Sequence, residues 1–316
     1  GIKGGKVQNF STNPPAPIIG QVWYNETTRT LNYHAAAAGS WATGNNLNTG
    51  RFYFPGAGIQ TSSIVMSGET PGGDITNAES YNGTSWTEVA DVNVARRGAG
   101  AGGASNTSAI FFTGYGGGNV DSNESWNGTA WTEVGNLNTA RRYIAGDGTA
   151  TSSLAIGGYT GVTAVVESWN GTAWTEVGDL NTARYSQGSA GSDNTNAIAF
   201  GGADGDVAIA ESWNGTAWTE VGDLNTGRTA LGGAGTNTAA LGFGGAPPSY
   251  VLTELWNGTS WTEVSDLNTG REGLAGSGTS ASALGAGGTP TSSPAVSVVT
   301  EEWTDPILVT RSVDTD

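Results

Sequence analysis

The stretch ESWNGTAWTEVGDLNTAR, from Glu167 to Arg184, recurs with small changes along almost the whole chain. Its copies end at Arg51 (a partial copy), Arg96, Arg141, Arg184, Arg228 and Arg271, at successive spacings of 45, 45, 43, 44 and 43 residues. Short strands and paired glycines inside each copy assign this period to four-stranded propeller blades rather than to helical solenoids. Near-uniform repeats with no break in composition predict one main domain within the 316 residues.

One copy shows how a blade would be made. From Arg141 to Arg184 the chain runs through a small-residue stretch (Ala145 to Gly148), then Ser153 to Gly158, Val165 to Trp169 and Ala173 to Val177. These read as four strands. Small residues suit the innermost one, where blades converge and glycine marks close backbone approach. Period-two alternation puts Glu167 with Trp169 on one face and Trp174 with Glu176 on one face. Asn170-Gly171 between them predicts a hairpin in which both residues tolerate positive φ. The same dipeptide stands at Asn82, Asn127, Asn214 and Asn257, each time followed by Thr. Every copy is therefore formally a glycosylation sequon, but the hairpin already accounts for it.

Burying an indole of 150 to 250 Å² is worth about 4 to 6 kcal/mol gross at about 25 cal/mol/Å². That favours core packing over ligand stacking for Trp126, Trp131, Trp169, Trp174, Trp213, Trp218, Trp256 and Trp261 among the chain's 12 tryptophans. Repeating Glu and Arg residues, such as Glu167 with the terminal Arg96, Arg141, Arg184, Arg228 and Arg271, read as ion pairs or turn ligands inside the propeller. Six copies of an active site are implausible.

A double glycine, an aromatic, a Trp and then an Arg, here Gly157-Gly158, Trp169, Trp174 and Arg184, resembles the kelch pattern. The next set is Gly201-Gly202, Trp213, Trp218 and Arg228. The five-residue gap from aromatic to Trp is tight for kelch, so the chain is kelch-like, over about Trp41 to Trp303. A second resemblance lies in Gly20-Gln-Val-Trp-Tyr-Asn25 and Thr27 to Tyr33, which look like a hairpin of bacteriophage tail-fibre and other virion proteins. Kelch-like arrays with the LNTAR ending are similar to structural proteins of tailed, particularly marine, phages. The resemblance implies a virion protein, extracellular on the particle.

Five complete copies lie between Arg51 and Arg271, and a sixth stops at Glu301-Glu-Trp303. Trp41 to Arg51 has the same spacing as Trp174 to Arg184, so the N-terminal segment would supply the missing fourth strand. The expected fold is all-β, a six-bladed kelch-like propeller closed by an N-terminal strand, which removes exposed sheet edges. Residues 1–33 would form a short hairpin arm, 34–303 the propeller and 304–316 a C-terminal tail. Whether Leu31 to Tyr33 or Glu301 to Trp303 fills the third-strand place stays open. The ends look trimmed, with no initiator Met.

Specificity should come from what differs between copies, chiefly the loops after the second strand. These carry Asp74, Tyr115, Asp121, Tyr159, Asp204, Asp206 and Tyr250 as candidate ligand contacts. With 28 acidic against 12 basic residues, and Lys3 and Lys6 its only lysines, the chain offers no basic surface for nucleic acid. The same net charge of −16 disfavours anionic membranes. No apolar run of about 18 residues exists to span one, which predicts a soluble protein. Absence of cysteine leaves the compartment open.

A copper site of the galactose-oxidase kind, which kelch propellers invite, needs two His and a Tyr crosslinked to Cys. This chain has only His34 and no Cys. His34 alone reads as an incidental turn residue rather than a base. Asp204 with Asp206, or Asp121 with Glu124, could make a paired-carboxylate glycosidase, and Asp204-Gly-Asp206 could take Ca²⁺. The expectation is a non-enzymatic phage protein without cofactor. It would be anchored to other virion proteins through the arm and attach to a host-surface glycan; the sequence leaves a homo-oligomer open. The alternatives are a capsid or tail decoration protein that reads no receptor, and a polysaccharide-degrading enzyme.

Overall fold

Each repeat folds into strands because short small-residue, apolar or alternating segments are separated by turns rich in Asn, Gly and Thr. The computed structural model describes residues 7–15, 21–36, 39–203, 205, 207–247, 250–291, 296–305 and 308–313. The chain divides into two units, Trp41–Thr304 and Gly1–Ser40 with Asp305–Asp316. Among the described residues the larger unit is all-β: six four-stranded antiparallel sheets in a propeller-like arrangement, and two two-stranded ribbons. No helix among them is long and apolar enough to cross a membrane.

The innermost strands, which number the sheets first to sixth, are Gly56–Ile59, Gly100–Ser105, Ala145–Thr149, Gly188–Asp193, Gly232–Thr236 and Ala275–Thr279. Second strands such as Ser152–Ile156 are buried on both faces and accordingly carry a consecutive apolar run, here Leu154-Ala155-Ile156. In the sixth sheet the strands Ala275–Thr279, Ser282–Ala286 and Thr300–Thr304 are completed by Ser40–Thr43. Thr30–Ala36 lies in the other unit's sheet.

The Asn-Gly hairpins differ from the expected two-residue turn. Four residues separate Trp169 from Trp174, and only Gly171 has positive φ (90°). Asn170 Oδ1 accepts the N–H groups of Thr172 and Ala173 at 2.9 and 3.0 Å, an Asx turn that its side chain stabilises. Asn82, Asn127, Asn214 and Asn257 do the same.

A buried glutamate in every third strand organises the connector that enters its sheet. Glu211 Oε2 accepts from the Asn181 backbone N–H and side-chain amide, both at 2.7 Å. Its Oε1 accepts from Thr182 N–H at 3.3 Å and Arg184 Nη1 at 2.8 Å. Glu79, Glu167, Glu254 and Glu301 pair with Arg51, Arg141, Arg228 and Arg271 in the same way, while Glu124 faces Arg96 at 3.1 Å and Arg96 Nη1 donates to Ser122 Oγ at 3.0 Å. All six arginines are 0% exposed, so each pair survives only because its charges are matched and hydrogen-bonded. Burial, opposed by the Glu124 and Glu301 carboxylates, lowers Arg96 and Arg271 to about 10, still charged at neutral pH. The Asn side chain adds a bond to the outermost strand, Asn181 Nδ2 to Trp218 O at 3.2 Å. In the sixth sheet the equivalent bond, Asn268 Nδ2 to Trp41 O at 3.1 Å, holds the N-terminal strand.

The double glycine is a backbone requirement. Its first position has φ between 53° and 67° at Ser67, Thr113, Gly157, Gly201, Gly244 and Gly287. The second is always Gly, with φ between 89° and 117°, which L side chains rarely adopt. Its N–H donates to the carbonyl of the next repeat's Arg, as in Gly158 to Arg184 O at 2.9 Å, and Gly288 donates to Arg51 O at 2.8 Å.

Two residues beyond each Arg stands another left-handed residue. Tyr53 N–H donates to Gly273 O (2.8 Å), Gly273 to Ala230 (2.8 Å), Ala230 to Ser186 (2.7 Å), Ser186 to Tyr143 (2.7 Å), Tyr143 to Gly98 (2.6 Å), and Gly98 to Tyr53 (2.7 Å). The six bonds return to the residue from which they start.

The tryptophans fill the space between sheets; the third- and fourth-strand rings stack in pairs such as Trp169–Trp174, with centroids 5.4 Å apart. Trp41 and Trp86 donate Nε1–H to the hydroxyls of Thr253 and Thr300 in a neighbouring sheet, both at 3.0 Å. The same register position opposite Trp174, Trp218 and Trp261 holds Asn123, Val166 and Ala210. Those three indole N–H groups are buried without a hydrogen bond. Val166→Thr, nearly isosteric, therefore supplies Trp218 with an acceptor and should raise stability by about 1 kcal/mol. Thr253→Val should lower it by about 1 to 3 kcal/mol. Urea midpoints at constant slope measure both, and a destabilised Val166→Thr would contradict the assignment.

The smaller unit is a sheet ordered Gln8–Phe10, Val22–Asn25, Thr30–Ala36, Leu308–Ser312. The first pair is parallel and the others antiparallel. The expected arm (1–33) and C-terminal tail (304–316) thus share one sheet, and the arm's last strand runs on to Ala36. His34 sits in that strand, not in a turn.

Candidate functional site

The backbone just beyond each repeat Arg is uniform, but its side chains are not. The position after the Arg is Phe52, Arg97, Arg142, Tyr185, Thr229 or Glu272, and each pairs with the segment after the double glycine of its own sheet. The next position is Tyr53, Gly98, Tyr143, Ser186, Ala230 or Gly273, the hydrogen-bond ring itself. These two positions gather unit-specific side chains around one opening: an aromatic or arginine on each of the first four sheets, Thr229 and Ala230 on the fifth, and Glu272 with Gly273 on the sixth.

The bulky ones form a continuous line of contacts. The Arg97 guanidinium lies 4.8 Å from the Tyr115 ring centroid, and Arg142 lies 4.9 Å from both Tyr115 and Tyr159. Tyr159 meets Tyr185 at 5.2 Å, Tyr185 meets Tyr143 at 6.3 Å, Tyr143 meets Tyr53 at 5.2 Å, and Tyr53 meets Phe52 at 5.2 Å. All are half-buried, each with part of its surface open to solvent. Arg97 is held by Asp74 (2.9 Å) and Glu69 (3.2 Å), whereas Arg142 donates to Asn119 Oδ1 at 2.9 Å. Burial opposes the Arg97 charge, yet its hydrogen bonds to Asp74 and Tyr143 hold the net shift upward. Burial, reinforced by the Glu272 carboxylate, raises the Tyr53 hydroxyl to about 12, so it remains a hydrogen-bond donor at neutral pH.

Beneath the ring, Phe54, Ala99, Ile144, Gln187, Leu231 and Leu274 form a mostly apolar belt around a cavity of about 90 Å³. A second cavity of about 170 Å³ lies between the innermost strands of all six sheets. Asp147 is the only ionisable side chain lining it.

The loop residues singled out from sequence separate into groups. Asp74, Tyr115 and Tyr159 meet through Arg97 and Arg142. Asp121 is exposed, with Asn136 as its side-chain neighbour, and Tyr250 packs over Gly270, so neither joins the line. Asp204 and Asp206, and with them the suggested Ca²⁺ loop and one glycosidase pair, lie outside the described residues. The other pair is unavailable, since Glu124 is buried against Arg96 and Asn93. No group of three metal-ligating side chains occurs among the described residues. Arg97, Arg142, Tyr53, Tyr143 and Tyr185 were missed, although the signal was present: the two residues after each Arg differ in every copy.

No protein-family model matches the chain, and no curated protein matches it. Among solved structures it is similar to one described as "Structure of YjhT", at 11% identity and a TM-score of 0.66, covering 83% of this chain and 98% of that one. At that identity the likeness shows the all-β fold of repeated four-stranded sheets and nothing about activity.

Burial raises the Asp147 carboxyl to about 8, with Ser189 and the Gly191 amide opposing the shift. An acid whose folded pKa lies above its unfolded value favours the folded state most at low pH, and that contribution fades as pH rises from about 4 to about 8. In metal-free buffer, Asp147→Asn should flatten the fall in unfolding free energy across this window. Equal slopes for the two proteins would contradict the shift.

Proposed function

We propose that the six sheets are the blades of a closed kelch-like propeller, and that a tailed phage displays it on its virion to attach to a host-surface glycan. Three observations support closure: the circular hydrogen-bond ring, the Gly288 to Arg51 bond, and the bond from Trp86 to Thr300 between the first and sixth sheets. The phage assignment rests on the GQVWYN hairpin and the LNTAR arrays. Attachment to other virion proteins is assigned to the smaller unit, whose edge strand Gln8–Phe10 pairs on one side only among the described residues.

The line of tyrosines with Arg142 carries the binding reading. Half-exposed aromatic faces stack on the apolar faces of sugar rings, while Arg142, Asn119 and the Tyr hydroxyls supply directional bonds to hydroxyl groups. The line is confined to the positions at which the repeats differ, where scaffold demands are weakest.

Host-derived polysaccharides on a glycan array test the reading. The wild-type chain should bind without cleaving, and Tyr143→Ala or Arg142→Ala should each weaken binding by roughly tenfold, about 1.4 kcal/mol, with the fold intact. Silence on arrays and on whole host cells would favour a decoration protein, and release of reducing sugar would overturn the non-enzymatic reading.

A further inference from the structure

We propose that the larger central cavity is a binding site for one Ca²⁺ ion, with Asp147 as its only charged ligand. The inference is independent of glycan binding. The cavity is walled by the innermost strands of six sheets, and each of these is an edge strand with one side unpaired in its sheet. Such edges offer both N–H and C=O groups, so the backbone alone could suit an ion of either sign. The side chains decide between them.

At the register of Asp147 the other five strands carry Ala57, Gly102, Ala190, Ala234 and Ser277. A carboxylate in this column departs from a pattern of small residues. No Lys, Arg or His lines the cavity to balance it. Asp147 Oδ2 is buried and makes no hydrogen bond to the protein. Gln187, on the same cavity wall, donates Nε2–H to Ile156 O at 2.7 Å, while its Oε1 is likewise buried with no bond. Gln187 Oε1 accepts, and Asp147 Oδ2 does so once the carboxyl is ionised, so their complement is a cation, not an anion.

Carboxylate, amide and backbone carbonyl are hard oxygen donors, with no imidazole or thiolate among them, which excludes a zinc- or copper-type preference. Irregular oxygen ligation completed by water suits Ca²⁺ better than the stricter octahedron of Mg²⁺. About 170 Å³ leaves room for the ion with several waters, each taking about 30 Å³. Ligation favours the ionised carboxylate, so the ion and the proton compete at Asp147.

The test uses the full chain, stripped with chelator and titrated calorimetrically with CaCl₂. One ion should bind per chain and raise the melting temperature, and Asp147→Asn should weaken binding by roughly tenfold or more and remove the rise. The Asp206→Asn variant should bind as the wild type does. Crystals of the wild type soaked in TbCl₃ give an answer that needs no variant: an anomalous peak in the cavity beside Asp147 is expected. The proposal is overturned if the wild type shows no heat and no stabilisation with Ca²⁺. Unchanged binding by Asp147→Asn, or anomalous peaks confined to surface carboxylates, would also overturn it.

Discussion

Every connector in the larger unit is fixed by one buried carboxylate. Glu79, Glu124, Glu167, Glu211, Glu254 and Glu301 each face an Arg and an Asn from the segment that enters their sheet. A solvated ion pair contributes little, but these charges are out of water and cannot be left single. Removing one partner would cost about 3 to 5 kcal/mol. The carboxylate therefore sets where the connector lies, and the connector sets where the Arg carbonyl and the left-handed residue two positions later must stand. The double-glycine bond and the hydrogen-bond ring both follow from that placement.

This hierarchy separates scaffold from site. Repeat positions are consumed by buried pairs, indole packing and Asx turns, so they have no freedom to differ. The two positions after each Arg contribute only backbone to the ring, and their side chains are free to carry Tyr53, Arg97, Arg142, Tyr143 and Tyr185. A central cavity follows from the same convergence of small-residue strands, and Asp147 is the one place where a charge enters it.

Much of this was legible from periodicity, because the period fixes the sheets and the Trp pairs regardless of detail. The partner of each Arg was less so. Within one copy Glu167 and Arg184 look like a pair, yet Arg184 binds Glu211, since the end of a copy in sequence is already the start of the next sheet in space. The hydrogen-bond ring left only a faint trace. Gly98 and Gly273 suggest positive φ, but Tyr53, Tyr143, Ser186 and Ala230 adopt it without any compositional sign. The shared sheet of the two chain ends was hidden for another reason: Leu308–Ser312 pairs with a strand more than 270 residues away, and no repeat marks either.

The proposed closure makes the six ring amides equivalent, and their hydrogen exchange tests it most directly. If Ser40–Thr43 and the bonds between the first and sixth sheets complete the ring, the N–H groups of Tyr53, Gly98, Tyr143, Ser186, Ala230 and Gly273 should exchange together, through global unfolding. Fast exchange at Tyr53, whose N–H alone crosses from the first sheet to the sixth, with protection at the other five would show an open spiral and contradict it.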